Sequence, residues 1–191
     1  MKLVRIILIL MSVTAATFLW SDTDPSQKLM NLDMSAPGAY EESVKLIDAG
    51  ANPNFYGKGG DRPIFHAVKS GNREIVKLLL EKKADPNVSF EDATGSPLDI
   101  AVTLGDPEMV KILVNGKADV NYKMRGAITA LHTACLAKDS PVLVGIIAVL
   151  LDSGAEVNAM AHVGITPLMN AVEADNTGAV KLLLSRGADP T

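Results

Sequence analysis

The chain predicts an all-α repeat solenoid, and three observations carry that reading. The same phrase is written repeatedly: "RPIFHAVKSGNREIVKLLLEKKADPN" (Arg62–Asn87), "SPLDIAVTLGDPEMVKILVNGKADVN" (Ser96–Asn121) and "TALHTACLAKDSPVLVGIIAVLLDSGAEVN" (Thr129–Asn158). The closing asparagines Asn54, Asn87, Asn121 and Asn158 fall at steps of 33, 34 and 37 residues, a period at which self-similarity signals stacked supersecondary units. Each copy joins a short apolar helix, usually opened by proline, to a second one carrying a "KLLL"-type stripe. One such unit buries too little apolar area to fold alone, so its stability comes from stacking on its neighbours.

In chain order, residues 1–16 place Lys2 and Arg5 ahead of an apolar run from Ile6 to Val13 and then small residues. That is the layout of a secretory leader, with cleavage expected after Ala15 or Ala16. Counted through Trp20 the apolar stretch is about fifteen residues, short of the ~20 a spanning helix needs, and an uncleaved anchor is the alternative. Residues 17–39 read as a polar linker in which "SQKLMNLDM" is expected to make the first helix of a degenerate N-terminal cap. Residues 40–191 hold about five units, near 40–54, 55–87, 88–121, 122–158 and 159–191.

Within the units, Pro63, Pro97 and Pro167 stand at first helical positions, where a missing N–H costs nothing. Alanines at 67, 101, 134 and 171 keep the first helix slim for close approach of the next unit. Asn72, Asp106 and Ser140 are caps for the second helix, two of them followed by Pro107 and Pro141. The unit opening at Thr129 has four extra residues, read as a second helix lengthened at its outer end. At the helix exits, Gly50, Gly154 and Gly187 supply a left-handed cap. Lys83 and Lys117 occupy the same place in the middle units, at a steric cost of order 1 kcal/mol each.

The openings at 62–67, 96–101, 129–134 and 166–171 are TPLHxA-like, and with a period near 33 they resemble the ankyrin repeat over about Tyr40–Thr191. The resemblance implies paired antiparallel helices linked by β-hairpin fingers near 55–58, 88–92, 122–125 and 159–162. It also implies a protein-binding scaffold that presents its fingers and inner helices. Those finger segments hold Phe55, Tyr56, Phe90 and Tyr122, half of the eight aromatics, and Met124, Met160 and His162 extend the row. Aromatic and methionine side chains are the types enriched at protein interfaces. Phe55 and Tyr122, first after the asparagine, also suit packing between hairpins. Tyr56, Phe90 and Met124 lie nearer the tips. These seven residues are the expected partner-binding set.

Catalytic, cofactor and metal sites are not expected. His66, His132 and His162 sit in different units, without HExxH, CxxC or a nucleophile–base pattern. In the resemblance His132 is the histidine of TPLHxA and supports the turn through Thr129; His66 and His162 read as solvated by default. "YGKGGDRP" lacks the spacing of a phosphate loop, and its glycines read as turn residues. Asn87 opens an N-glycosylation triplet, but a repeat-closing asparagine is expected to bond the neighbouring loop instead. Cys135 is the chain's one cysteine, which excludes an intrachain disulfide and suits a small buried residue. Net charge is −4, or −6 after loss of Lys2 and Arg5 with the leader, which argues against nucleic acid.

The leader and the array together point to a small exported bacterial protein, periplasmic or secreted, that binds one protein partner and is not an enzyme. No membrane contact is expected after leader cleavage, and a monomer is expected rather than a dimer. An immunity or inhibitor protein that caps a toxin is the first expectation. A helper supporting another exported enzyme such as catalase, and a secreted effector binding host or competitor proteins, are the alternatives.

Overall fold

A computed structural model describes residues 24–92, 95–138 and 140–190. The leader of residues 1–16 lies outside the described residues. Ten α-helices are found among those described: α1 (Pro25–Asn31), α2 (Ala39–Asp48), α3 (Pro63–Lys69), α4 (Arg73–Glu81), α5 (Pro97–Thr103), α6 (Pro107–Asn115), α7 (Ala130–Cys135), α8 (Pro141–Asp152), α9 (Pro167–Glu173) and α10 (Thr177–Ser185). They pack as consecutive pairs. The first helices stack in the order α1, α3, α5, α7, α9, and the second helices in the order α2, α4, α6, α8, α10. Each pair contacts mainly the pairs beside it, and the first pair begins upstream of Tyr40, at Pro25.

The helices start and stop where local chemistry dictates. Asn72, Asp106 and Asn176 accept from the backbone N–H three residues on at 3.1, 3.0 and 2.9 Å, capping α4, α6 and α10. At the exits of the second helices, Gly50, Lys83, Lys117, Gly154 and Gly187 all have positive φ. The alanine that follows each donates its N–H back to a leucine carbonyl, as in Ala84 N to Leu79 O at 2.8 Å and Ala188 N to Leu183 O at 3.0 Å. This is the Schellman closure. The leucines so used, Leu79, Leu113, Leu150 and Leu183, are fully buried, so one residue of each stripe serves both exit and core. Ala67, Ala101, Ala134 and Ala171 are also fully buried, as close stacking of the first helices requires.

Successive units are laced by the closing asparagines. Asn54 donates Nδ2 to Lys83 O at 2.7 Å and accepts from Asp85 N at 2.7 Å. Asn87, Asn121 and Asn158 repeat the pattern on Lys117 and Asp119, Gly154 and Glu156, and Gly187 and Asp189. Both ends of each amide are used, which explains why asparagine recurs at this step. The longer unit has one residue more from Ala134 to the Ser140 cap than the neighbouring unit has from Ala67 to Asn72, and a second helix of 12 residues, against 9 in α4, α6 and α10.

The fingers differ from the expected β-hairpins. No strand is assigned among the described residues. The first, third and fourth fingers close on one backbone bond, Gly57 N to Asp61 O (2.8 Å), Met124 N to Ile128 O (2.9 Å) and Ala161 N to Ile165 O (2.9 Å). Their tips are two residues with positive φ, Gly59–Gly60, Gly126–Ala127 and Val163–Gly164. That is the mirror-image turn geometry of two-residue hairpins, with a base too short to form a ladder.

Candidate finger-edge interaction site

The tight turns set which finger side chains face out. Counting from each closing asparagine, the second residue is exposed at Tyr56, Lys123 and Met160, and the fourth at Lys58, Glu91, Arg125 and His162. The first and third positions turn inward, with Val88, Met124 and Ala159 buried and Phe55, Phe90 and Tyr122 half-buried. This alternation sorts the seven expected contact residues. Tyr56, Met160 and His162 stand in solvent. Phe55 and Tyr122 are half-buried.

Phe90 and Met124 are not tip residues, and their expected exposure is corrected. The Phe90 ring stacks on the fully buried Phe65 at 4.2 Å between centroids and 14° between planes, with the Lys69 ammonium 4.8 Å from its centroid. Met124 is 7% exposed. Each occupies the third position, from which the chain enters the turn and the side chain points back at the helices.

Tyr56 is held rather than free. Its hydroxyl donates to Glu91 Oε1 at 2.9 Å, and the Arg62 guanidinium lies 4.9 Å from its ring centroid. The hydrogen bond to Glu91 holds the phenol above its usual pKa. Glu91 N donates to Gly59 O at 3.1 Å, tying the first two fingers together. On the fourth finger the turn places Val163 at the tip with φ 59° and 95% exposure, beside Met160 at 62%. Val163 escaped sequence reasoning, because valine is no turn signal. Its register with Gly59 and Gly126, five residues past the closing asparagine, was the available clue.

His132, His66, Asp99 and Cys135 are tied into the fold. His132 is buried and takes part in a reciprocal cap with Thr129: Nδ1 receives the Thr129 hydroxyl at 2.9 Å and the Thr129 N–H at 3.3 Å. Its Nε2–H donates to Ile165 O at 3.2 Å, reaching the next unit. These partners demand neutral imidazole, and burial pushes its pKa down. His66, expected to be solvated, pairs with Asp61 Oδ2 at 2.7 Å. Asp99 accepts from the Thr133 hydroxyl at 2.6 Å, and burial raises its pKa. Burial pushes the Cys135 thiol up to about 12, the property of an inert core residue.

Among the described residues no group of three or more His, Cys, Asp or Glu could hold a metal ion, and no helix is long and apolar enough to cross a membrane. An apolar groove of about 450 Å³ lies on the α9–α10 pair, lined by Leu168, Met169, Val172, Val180, Leu184 and Pro190.

Comparison with known proteins places this architecture. A fowlpox virus protein named for its ankyrin repeats, FPV219, is 40% identical over 129 residues, 68% of this chain and 28% of its own length. The human BCL-6 corepressor-like protein 1 is 48% identical over 63 residues, 33% of this chain and 3% of its own. The Arabidopsis thaliana ADP-ribosylation factor GTPase-activating protein AGD2 is 32% identical over 141 residues, 67% and 17%. The chain thus spans less than a third of each of these relatives. The family model for ankyrin repeats matches residues 34–124 and 122–191. The chain therefore belongs to the ankyrin repeat family, whose repeats are protein–protein interaction modules.

Proposed function

We propose that this chain is a non-catalytic, exported interaction module that grips one protein partner along its finger tips and inner helices, as an immunity or inhibitor protein caps a toxin. The observation that carries the binding edge is the sorting of finger side chains. Tyr56, Met160, His162 and Val163 stand outward on the first and fourth fingers, and the core closes without them. Large, pre-positioned side chains lose little freedom on binding and supply most of an interface's energy. Export rests on the leader layout of residues 1–16 and sets the periplasm or the medium as the place of action.

Affinity capture from periplasmic extract, with wild type and a Tyr56→Ala/Met160→Ala variant of equal melting temperature, tests this reading. Wild type is expected to retain one protein that the variant loses. Equal retention of the same protein by both forms would end the finger-edge proposal. The captured protein's class separates toxin, exported enzyme and external target.

A further inference from the structure

Resting on that reading, we infer that the fourth finger is the anchor, and that Val163 is an apolar wedge held out for insertion into an apolar pocket of the partner protein. Val163 has φ 59° and ψ 19° and is 95% exposed. A β-branched residue is a clear outlier in this left-handed region, because its Cβ substituents crowd the backbone. The equivalent tip residues on the first and third fingers are Gly59 (φ 69°) and Gly126 (φ 82°), which meet the same turn without strain. Val163 therefore pays twice, in backbone strain and in exposed apolar surface, and at 95% exposure it gains no packing in return. Strain kept where glycine would relieve it, with no benefit to the fold, points to use by a ligand.

The setting shows what kind of ligand. The bond from Ala161 N to Ile165 O at 2.9 Å fixes the base of the tip, so the side chain projects from a closed turn. Met160, 62% exposed, is a second outward apolar side chain on the same finger. A Cβ on Gly126 would lie 3.8 Å from the His162 ring, so the third finger stands alongside, carrying exposed Lys123 and Arg125. An apolar point beside two cations fits a pocket with an apolar floor and an acidic rim. Complementary charge across such a rim steers the encounter and fixes its orientation.

The test uses the full chain. A photo-crosslinking p-benzoylphenylalanine is placed at His162 or at Tyr56, each leaving Val163 intact, and irradiated in the producing cell. The linked partner is then purified and titrated with wild type, Val163→Gly and Val163→Asn, the asparagine tolerating positive φ while being polar. A crosslink from position 162 is expected. Both substitutions should raise Tm by about 2–4 °C and weaken binding by about tenfold or more. Crosslinking from position 56 but not 162, or unchanged affinity in Val163→Asn, overturns the wedge while leaving the finger edge standing. Absence of crosslinks from both positions removes the finger edge itself.

Discussion

Lys83 and Lys117 hold φ of 68° and 73° at helix exits where Gly50, Gly154 and Gly187 stand in the other units. The left-handed exit was legible because the closing turn recurs, and lysine there reads as strain. Replacing Lys83 with glycine should raise stability by about 0.5–1 kcal/mol, the steric relief being partly offset by a freer unfolded chain. Thermal denaturation checks this, and an unchanged or lower Tm would contradict the exit geometry. His132 gives a pH prediction of definite sign. Its folded pKa lies below the ordinary value of 6.5, so in acid the unfolded chain binds a proton that the folded chain refuses. Stability is therefore kept above about pH 6.5 and lost as pH falls below it. Melting curves from pH 7 to 5 should show a shallower fall in His132→Gln than in wild type. Equal slopes would show that this imidazole does not set the dependence.

At the scale of elements, helices and fingers were unequally readable. Prolines, caps and apolar stripes mark the helices through interactions within a few residues, so their starts and the lengthened α8 followed from spacing. The fingers depend on a turn that reverses the chain over two residues and makes side chains alternate in and out. Counting aromatics ignores that alternation. Phe90 therefore looked like a contact residue, although its ring finds Phe65 25 positions earlier in the sequence. Met124 was misplaced for the same reason. Gly60 shows how tightly the first two fingers fit: its φ is 82°, and a Cβ there would lie 2.6 Å from Glu91 N. Gly60→Ala should cost about 1–3 kcal/mol through strain and collision together, and should free the Tyr56 hydroxyl from Glu91. Denaturant unfolding with a spectroscopic tyrosine titration reads both effects. Wild-type stability and an unshifted tyrosine pKa would show that the fingers are not docked as described.

For the whole molecule, the period near 33 residues made the array plain before any coordinate. The same inter-unit contacts, a buried leucine and a two-sided asparagine amide, are rebuilt at each step. What the period could not disclose is where one repeat departs from the others for function, since a shared pattern describes only what is shared. Val163 and the exposed edge belong to that remainder. The account stands on the claim that the core closes without the finger tips, which are left to a partner. Hydrogen exchange of the complex with the captured partner tests this most directly. Slowed exchange is predicted at the finger amides of residues 56–61 and 159–165, with no change along the solvent sides of α4 and α6. Protection confined to those second helices, with the fingers exchanging as in the free protein, would contradict it.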